Sequence, residues 1–599
     1  MLELKFLNAE KIEKREYQFA DAEQIIQAGQ NGKNCGLVYP TGMGKTITAF
    51  LVADAYLAFT PPLAGQGKVL ILAPTNPLCE QHFRDAWLLF NLPAEEINLL
   101  VGRVSVKKRF DIWRKSRIIV STPQTIVGEM DCMRIDFENV AFVIFDEMHM
   151  ANKNYAYVKV AEWCKNRNIR VLGLTASPGK SERIDQTERN FGVNWWVYRS
   201  AEDEEARRFV FPKNEKPLIV SYPEPHRGAM RFLRRCILFV HNEFAKSGLI
   251  SSLPLNLDFD TRIDFYRLTE LNEIYPRVKR WVEKQKREKS NELWYRYVAL
   301  YGAYYRLMHL LNLFVTEDYR VALNYIDEIS KQLIQVNASG PYCFPYYKMN
   351  PAKIIWENLD FHDFRLALLA MVQAGQRHPK LEKFLELIAP FISRGEKVLV
   401  FSNFKQTVDI LADELKARGI KALAVAGNAF MKANEQKAVL DKFRHGECSV
   451  LAATTVIEAG IHVPKIDVVV NYSMPLTGIA QIQRGGRAGR TAVGLIYYLI
   501  MDNSNDSSLF YAARSENKKL GDEMRRRMFI QRAESKGEDM RICRAKPAEL
   551  PLDFSIQNGA CFTSKRKSKG SRASLGRPVG VQMDLFIAAG VTAEGGANA

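Results

Sequence analysis

Short apolar runs recur along the first third of the chain, each closing on polar residues. Val69–Leu72 runs into Ala73-Pro74-Thr75, Arg117–Val120 into Ser121-Thr122-Pro123-Gln124, Val140–Phe145 into Asp146-Glu147-Met148-His149, and Val171–Leu174 into Thr175-Ala176-Ser177-Pro178. A further run, Gly36–Val38, enters a glycine-rich turn and then the helical pattern Ile47–Leu57. Continuous apolar strands separated by helical segments predict a parallel sheet covered on both faces. In such a sheet functional residues gather at the carboxyl edge, where the strands end. A second series opens at Lys397–Phe401 and turns at Ser402-Asn403. It continues with a helix over 406–418, a strand over 422–425, a helix over 435–443, a buried strand over 449–453 ending at Thr454, and a strand over 468–470. Between the two series the rhythm breaks, and residues 230–246, 264–285, 290–315 and 318–336 read as helices.

The expected fold is therefore α/β: two parallel-sheet domains with an α-helical insertion between them. The expected boundaries are 1–222, 223–378 for the insertion and 379–504, followed by a helical arm over 505–560 and a basic disordered tail over 561–599. The chain's 599 residues suit several domains, since one core seldom serves more than about 250–300 residues.

Charge adds a partner to this picture. Lys plus Arg number 84 against 67 for Asp plus Glu, a net charge of +17 that favours a polyanion, most simply nucleic acid. The nine cysteines carry no C-x-x-C pair and no zinc spacing, so they read as small buried hydrophobes in a reducing compartment, with no structural zinc. Neither a membrane-spanning run nor a signal segment is visible, and the expected location is cytoplasmic, or nucleoid-associated in a prokaryote.

Specific chemistry starts at Pro40-Thr41-Gly42-Met43-Gly44-Lys45-Thr46. Gly42 and Gly44 let the backbone turn its N–H groups toward an anion, Lys45 can neutralise β/γ-phosphates, and Thr46 can ligate Mg²⁺ at the positive end of the following helix. Tyr39 stands where the general phosphate-loop pattern has its first glycine. Upstream, in Arg15-Glu16-Tyr17-Gln18, the Gln18 amide can both donate to and accept from an adenine edge. Asp146 can hold the magnesium ion and Glu147 can orient or deprotonate the attacking water. His149 reads as a link to neighbouring motifs. In Gln483-Arg484-Gly485-Gly486-Arg487-Ala488-Gly489-Arg490, Arg487 and Arg490 lie three apart and so could project from one helical turn. Planar guanidinium groups there suit a developing γ-phosphate charge, with Gln483 near the water or the nucleotide.

This ordered set resembles the core of superfamily 2 helicases, and within them the archaeal Hef and Fanconi anaemia M-type DNA translocases; the RIG-I-type RNA sensors share the layout. The resemblance rests on the phosphate loop, Ala73–Thr75, Ser121–Pro123, Asp146–His149, Thr175–Ser177, Val398–Ser402, Ala453–Pro464 and Gln483–Arg490. It implies two RecA-like domains, ATP and Mg²⁺ as cofactors, and catalytic roles for Lys45, Asp146, Glu147, His149, Gln483, Arg487 and Arg490. It implies nucleotide contacts from Arg15, Gln18, the loop 40–46 and Gly460, and nucleic-acid contacts from Thr75, Gly102, Thr122, Pro123, Ser402 and Thr454. Two positions depart from the family. Met148 replaces the usual alanine, and His462 replaces an aspartate near the ribose.

Aromatics lie beside cations in the insertion, at Lys279-Arg280-Trp281 and Trp294-Tyr295-Arg296-Tyr297. They can stack on bases and grip phosphates, or fill the insertion's own core. Near the C-terminus Gln582-Met583-Asp584-Leu585-Phe586 resembles a bacterial sliding-clamp binding pentapeptide, with Leu585 and Phe586 as apolar anchors and Gln582 fixing register. The expected function is an ATP-dependent motor on branched or forked DNA. The alternatives are a motor on double-stranded RNA and a sensor or scaffold that uses ATP without unwinding.

Overall fold

A computed structural model describes residues 3–59, 67–135, 137, 139–151, 155–253, 268–287, 291–338, 350–427, 430–457, 466–488, 494–502 and 504–536. Gly460, His462, Pro464, Gly489, Arg490 and the pentapeptide residues Gln582, Leu585 and Phe586 lie outside them.

The first apolar series builds a seven-stranded parallel sheet in the order β3-β4-β2-β5-β6-β1-β7. Its strands are β1 Asn34–Val38, β2 Lys68–Leu72, β3 Ile97–Leu100, β4 Ile118–Ser121, β5 Val140–Phe145, β6 Arg170–Thr175 and β7 Val193–Tyr198. The central strands are buried along nearly their whole length, which is why their sequences read as unbroken apolar runs. Two glycines record close packing on the sheet. A Cβ on Gly36 would overlap the Trp196 ring, and one on Gly173 would overlap the Met148 thioether. Met148 is fully buried and thus pays for its departure from the family alanine by lying over a residue without a side chain.

The second sheet has six parallel strands in the order β10-β11-β9-β12-β13-β8. They are β8 Lys213–Val220, β9 Val398–Phe401, β10 Ala422–Val425, β11 Val450–Ala453, β12 Val468–Asn471 and β13 Gly494–Met501. This corrects the first boundary. β8 precedes residue 222, yet it pairs with β13 along its length, from Lys213 against Gly494 to Val220 against Met501. The chain has therefore already crossed to the second sheet before the insertion begins. β8 gave only a three-residue apolar signal, Leu218–Val220, because it is a largely exposed edge strand, and its Pro217 is tolerated there.

The insertion is helical as expected, with helices Glu224–Ala245, Leu268–Arg287, Asn291–Thr316, Tyr319–Ala338, Pro351–Trp356 and Leu359–Gln373. They share one apolar core that includes Tyr301, Tyr304, Phe314 and Phe364. Trp281 meets the Tyr297 ring edge-on at 5.5 Å, and Tyr297 packs half-buried against that core. Arg231, Arg235 and Arg296 point outward. The last described helix, Asn505–Lys536, returns to the first sheet. Gln531 accepts from the Trp196 amide at 2.7 Å and donates to its carbonyl, while Arg527 pairs with Asp185 and Glu188. Among the described residues no helix is long and apolar enough to cross a membrane.

Candidate active site

Parallel strands deliver their following residues to one edge of a sheet. In the first sheet that edge brings together the loop after β1, the Asp146–His149 segment after β5 and Thr175–Ser177 after β6. The phosphate loop needs left-handed backbone at two places, and glycine occupies both: φ is +91° at Gly42 and +81° at Gly44. Gly44 also has no room for a side chain, because a Cβ would overlap the Gln18 amide. The Met43 carbonyl accepts from the Tyr17 hydroxyl and from Gln18 Nε2, each at 2.8 Å. Gln18 is thus a buried brace under the loop, and its Oε1 is buried with no hydrogen-bond partner. Arg15 reaches the Gly42 carbonyl at 3.4 Å. Lys45 opens the helix Lys45–Phe59, with Thr46 second, and its Nζ donates across the loop to the Tyr39 carbonyl at 3.0 Å.

Tyr39, at the first-glycine position of the general pattern, is fully buried. Its hydroxyl donates to Asp21 at 2.5 Å, and Arg199 holds the same carboxylate through two nitrogens. The loop's entry is therefore pinned by a buried ion pair rather than by glycine.

Asp146 and Glu147 are adjacent, yet their surroundings drive them apart. Burial opposes charge on Asp146, but the His82 ring at 2.7 Å outweighs it, with help from Lys45 and the Glu147 amide, and the carboxyl is held below its ordinary range. The Tyr157 hydroxyl fixes the Asp146 carbonyl at 2.6 Å. Glu147 sits in left-handed backbone, φ +48°, ψ +46°. Burial, and then the charge of Asp146, push its carboxyl up to about 7. A non-glycine residue in that conformation stores strain that the surrounding structure must hold. The result is one fixed anion suited to a metal and one carboxyl poised to exchange a proton.

His149 hydrogen-bonds to a neighbouring segment, the link read for it from the sequence. Its Nδ1 lies 3.0 Å from the Thr175 hydroxyl and 3.3 Å from Glu147 Oε2. Thr175 donates its only proton to the Ser177 carbonyl, so its oxygen accepts from His149 Nδ1–H. Burial, and then Arg183, lower the imidazole to about 4 and keep it neutral. His149 therefore ties the carboxylate segment to Thr175–Ser177.

The second sheet supplies the opposing wall. The helix Gly478–Gly485 follows β12, and Gly486 lies so close to the phosphate loop that a Cβ on it would overlap the Thr41 hydroxyl. Arg487 is largely buried, and its charge acts on Glu147, lowering that carboxyl against burial. Arg487 lies in the turn beyond the helix, which ends at Gly485, and the expected pairing with Arg490 falls outside the described residues. Gln483 is buried, and its Nε2 has no hydrogen-bond partner. Thr41 Oγ1 is in the same condition. Buried polar atoms without partners are costly and rare, so Gln18, Thr41 and Gln483 mark places where a polar ligand would be received.

The residues expected to touch nucleic acid divide. Thr75, Thr122 and Pro123 follow β2 and β4, Gly102 follows β3, and Thr454 follows β11, all at strand ends. Thr75 Oγ1 is buried without a partner, and no atom lies within 4 Å of where a Gly102 side chain would start. Ser402 is a correction. It is fully buried, and its hydroxyl is engaged with Ser473 at 2.9 Å and the Phe404 amide at 3.2 Å, so its side chain cannot reach a strand. Sequence reasoning missed His82, Tyr157, Asp21 and Arg484. The first three act on the site from separate elements that no local spacing announces, whereas Arg484 stands inside the Gln483–Arg490 stretch with no role read for it.

Residues 19–184 match the DEAD/DEAH box helicase family, and residues 379–492 match the helicase conserved C-terminal domain. The crystal structure of the Pyrococcus furiosus Hef helicase domain is 30% identical, covers 85% of this chain and 100% of its own, and superposes with a TM-score of 0.61. A Methanocaldococcus jannaschii protein whose name makes it a candidate ATP-dependent RNA helicase is 28% identical over 83% of this chain and 60% of its own length. The Neurospora crassa ATP-dependent DNA helicase mph1 is 26% identical over 82% and 41%. The Arabidopsis thaliana DEAD-box ATP-dependent RNA helicase FANCM is 25% identical over 82% and 35%. The chain thus spans between about a third and three-fifths of these curated relatives.

The surroundings of Glu147 suit its carboxyl to accept a proton. Glu147→Gln is expected to bind ATP as the parent does while turnover falls at least about 100-fold, measured by nucleotide titration and phosphate release.

Proposed function

This chain belongs to the superfamily 2 helicases of the Hef and FANCM type, and from that membership we propose that it is an ATP-driven motor on branched or forked DNA. The single observation that carries this reading is the closed seam. The phosphate loop and Glu147 lie on one sheet, and Gly486 and Arg487 press on them from the other. ATP with Mg²⁺ fits the residues present. Gln18 would receive the base, Lys45 and the loop amides the phosphates, and Thr46 with Asp146 the ion. When bound, the ion would neutralise phosphate charge. Glu147 takes the proton of the attacking water, and Arg487 faces the charge that develops on the outer phosphate.

Thr75, Gly102, Thr122, Pro123 and Thr454 would hold one strand through its phosphates, with both lobes contributing. Opening and closing of the seam would then change their spacing and step the motor without reading sequence. DNA is favoured by the layout shared with Hef and by the mph1 name; the two relatives named for RNA keep a duplex-RNA motor as the second reading. ATP hydrolysis at matched salt with forked DNA, duplex DNA and duplex RNA separates them. The account expects the greatest stimulation by forked DNA, and stimulation by RNA alone would reverse the assignment. Strand displacement on the same substrates separates a motor from a sensor.

We also propose a bacterial sliding clamp as partner, through Gln582, Leu585 and Phe586. A peptide of residues 576–592 is expected to bind such a clamp saturably in calorimetry, and the Leu585→Ala plus Phe586→Ala peptide is expected not to bind.

A further inference from the structure

The junction between the insertion and the second sheet holds a buried carboxylate with no part in ATP chemistry. Glu317 lies at the elbow between the helices Asn291–Thr316 and Tyr319–Ala338 and is 1% exposed. Its Oε2 accepts from the Thr407 hydroxyl at 2.7 Å, and its Oε1 from the Ser473 hydroxyl at 2.9 Å. Both hydroxyls belong to the second sheet's domain. Burial pushes the Glu317 carboxyl up to about 7, against the pull of Lys380, which is itself buried and paired with Asp506 at 2.7 Å. Isolated buried charge is expensive, so such an arrangement is weak as a device for stability alone.

The hydrogen bonds run in one direction. The Phe404 amide donates to Ser402, and Ser473 spends its proton on Glu317. The bond between the two serine hydroxyls must therefore be donated by Ser402. Each hydroxyl has one proton to give, so the chain is fully committed and ends on the insertion's carboxylate. The same Ser473 accepts, at its carbonyl, from Arg484 at 2.7 Å. Arg484 also donates to Asn403 Oδ1 at 2.7 Å and is 1% exposed. Its carbonyl accepts from the Arg487 amide at 3.1 Å, and the charge of Arg487 acts on Glu147. One residue, Ser473, thus touches the insertion through its side chain and the arginine segment through its backbone.

We propose that Glu317 is a positioning residue that couples the seating of the insertion on the second sheet's domain to the placement of Arg487, by way of Ser473 and Arg484. Displacement of the insertion pulls on Ser473, and with it on the guanidinium that anchors the arginine turn. This inference rests on the motor reading above and adds a path by which movement of the insertion, as the lobes close on a strand, would control hydrolysis.

Thr407 supplies the control, because it bonds the same carboxylate but does not lie on the arginine side. The experiment is steady-state ATP hydrolysis by the full chain and by Glu317→Gln, Ser473→Ala and Thr407→Val, each without nucleic acid and at saturating forked DNA. Thermal denaturation of each variant confirms that it is folded. Stimulation, the ratio of the two rates, is expected to fall about 5-fold or more in Glu317→Gln and Ser473→Ala, with basal rates and DNA affinity within about twofold of the parent. Thr407→Val is expected to melt at a lower temperature and keep its stimulation. An unchanged ratio in Glu317→Gln would overturn the proposal. So would equal losses in all three variants, which would mark a merely structural junction. A parent chain that no nucleic acid stimulates would fail the motor reading itself, a result visible before any variant is measured.

Discussion

Everything at the site depends on a contact between glycine and threonine. Gly486 and Thr41 approach so closely that no Cβ fits between them, and they come from different sheets. That contact brings Arg487, a cation with no place in the first sheet, to within electrostatic reach of Glu147. A site divided in this way is complete only when its halves are together. The arrangement allows phosphate chemistry to be tied to relative motion of the two lobes.

Within the front lobe, function follows from making two neighbouring carboxyls different. Asp146 extends the buried ladder of β5 and meets the His82 ring, which favours its charged form. The next residue turns into left-handed backbone and presents its carboxyl to a buried site where charge is disfavoured. The strain at Glu147 is held by what surrounds it. Met148 is locked over Gly173, and His149 is tied to Thr175. The Met148 substitution is consistent with this picture, since the thioether fills the space over a glycine and keeps the segment seated.

Much of this was legible in the sequence because buried parallel strands must be continuously apolar. The runs Val69–Leu72 and Val140–Phe145 therefore gave both the strands and the edge on which Asp146 appears. The phosphate loop was legible because its glycines and lysine are required by local backbone geometry. What escaped was whatever depends on distant partners. β8 opens on the polar run Lys213–Lys216 because it is an edge, so no strand was read there and the boundary was drawn beyond it. Ser402 looked like a strand contact until its hydroxyl proved to be spent on Ser473. Arg484 looked like one arginine among several, yet it is the one buried against Phe401 and bonded across its own domain.

The central claim is that hydrolysis needs a cation delivered from the second lobe. Nucleotide affinity and turnover of the full-length Arg487→Ala chain test it most directly. The account predicts a fall in turnover of about 1,000-fold or more with ATP affinity little changed, the pattern of a group that acts on the transition state. Turnover within about tenfold of the parent would contradict it and would leave the front lobe sufficient by itself.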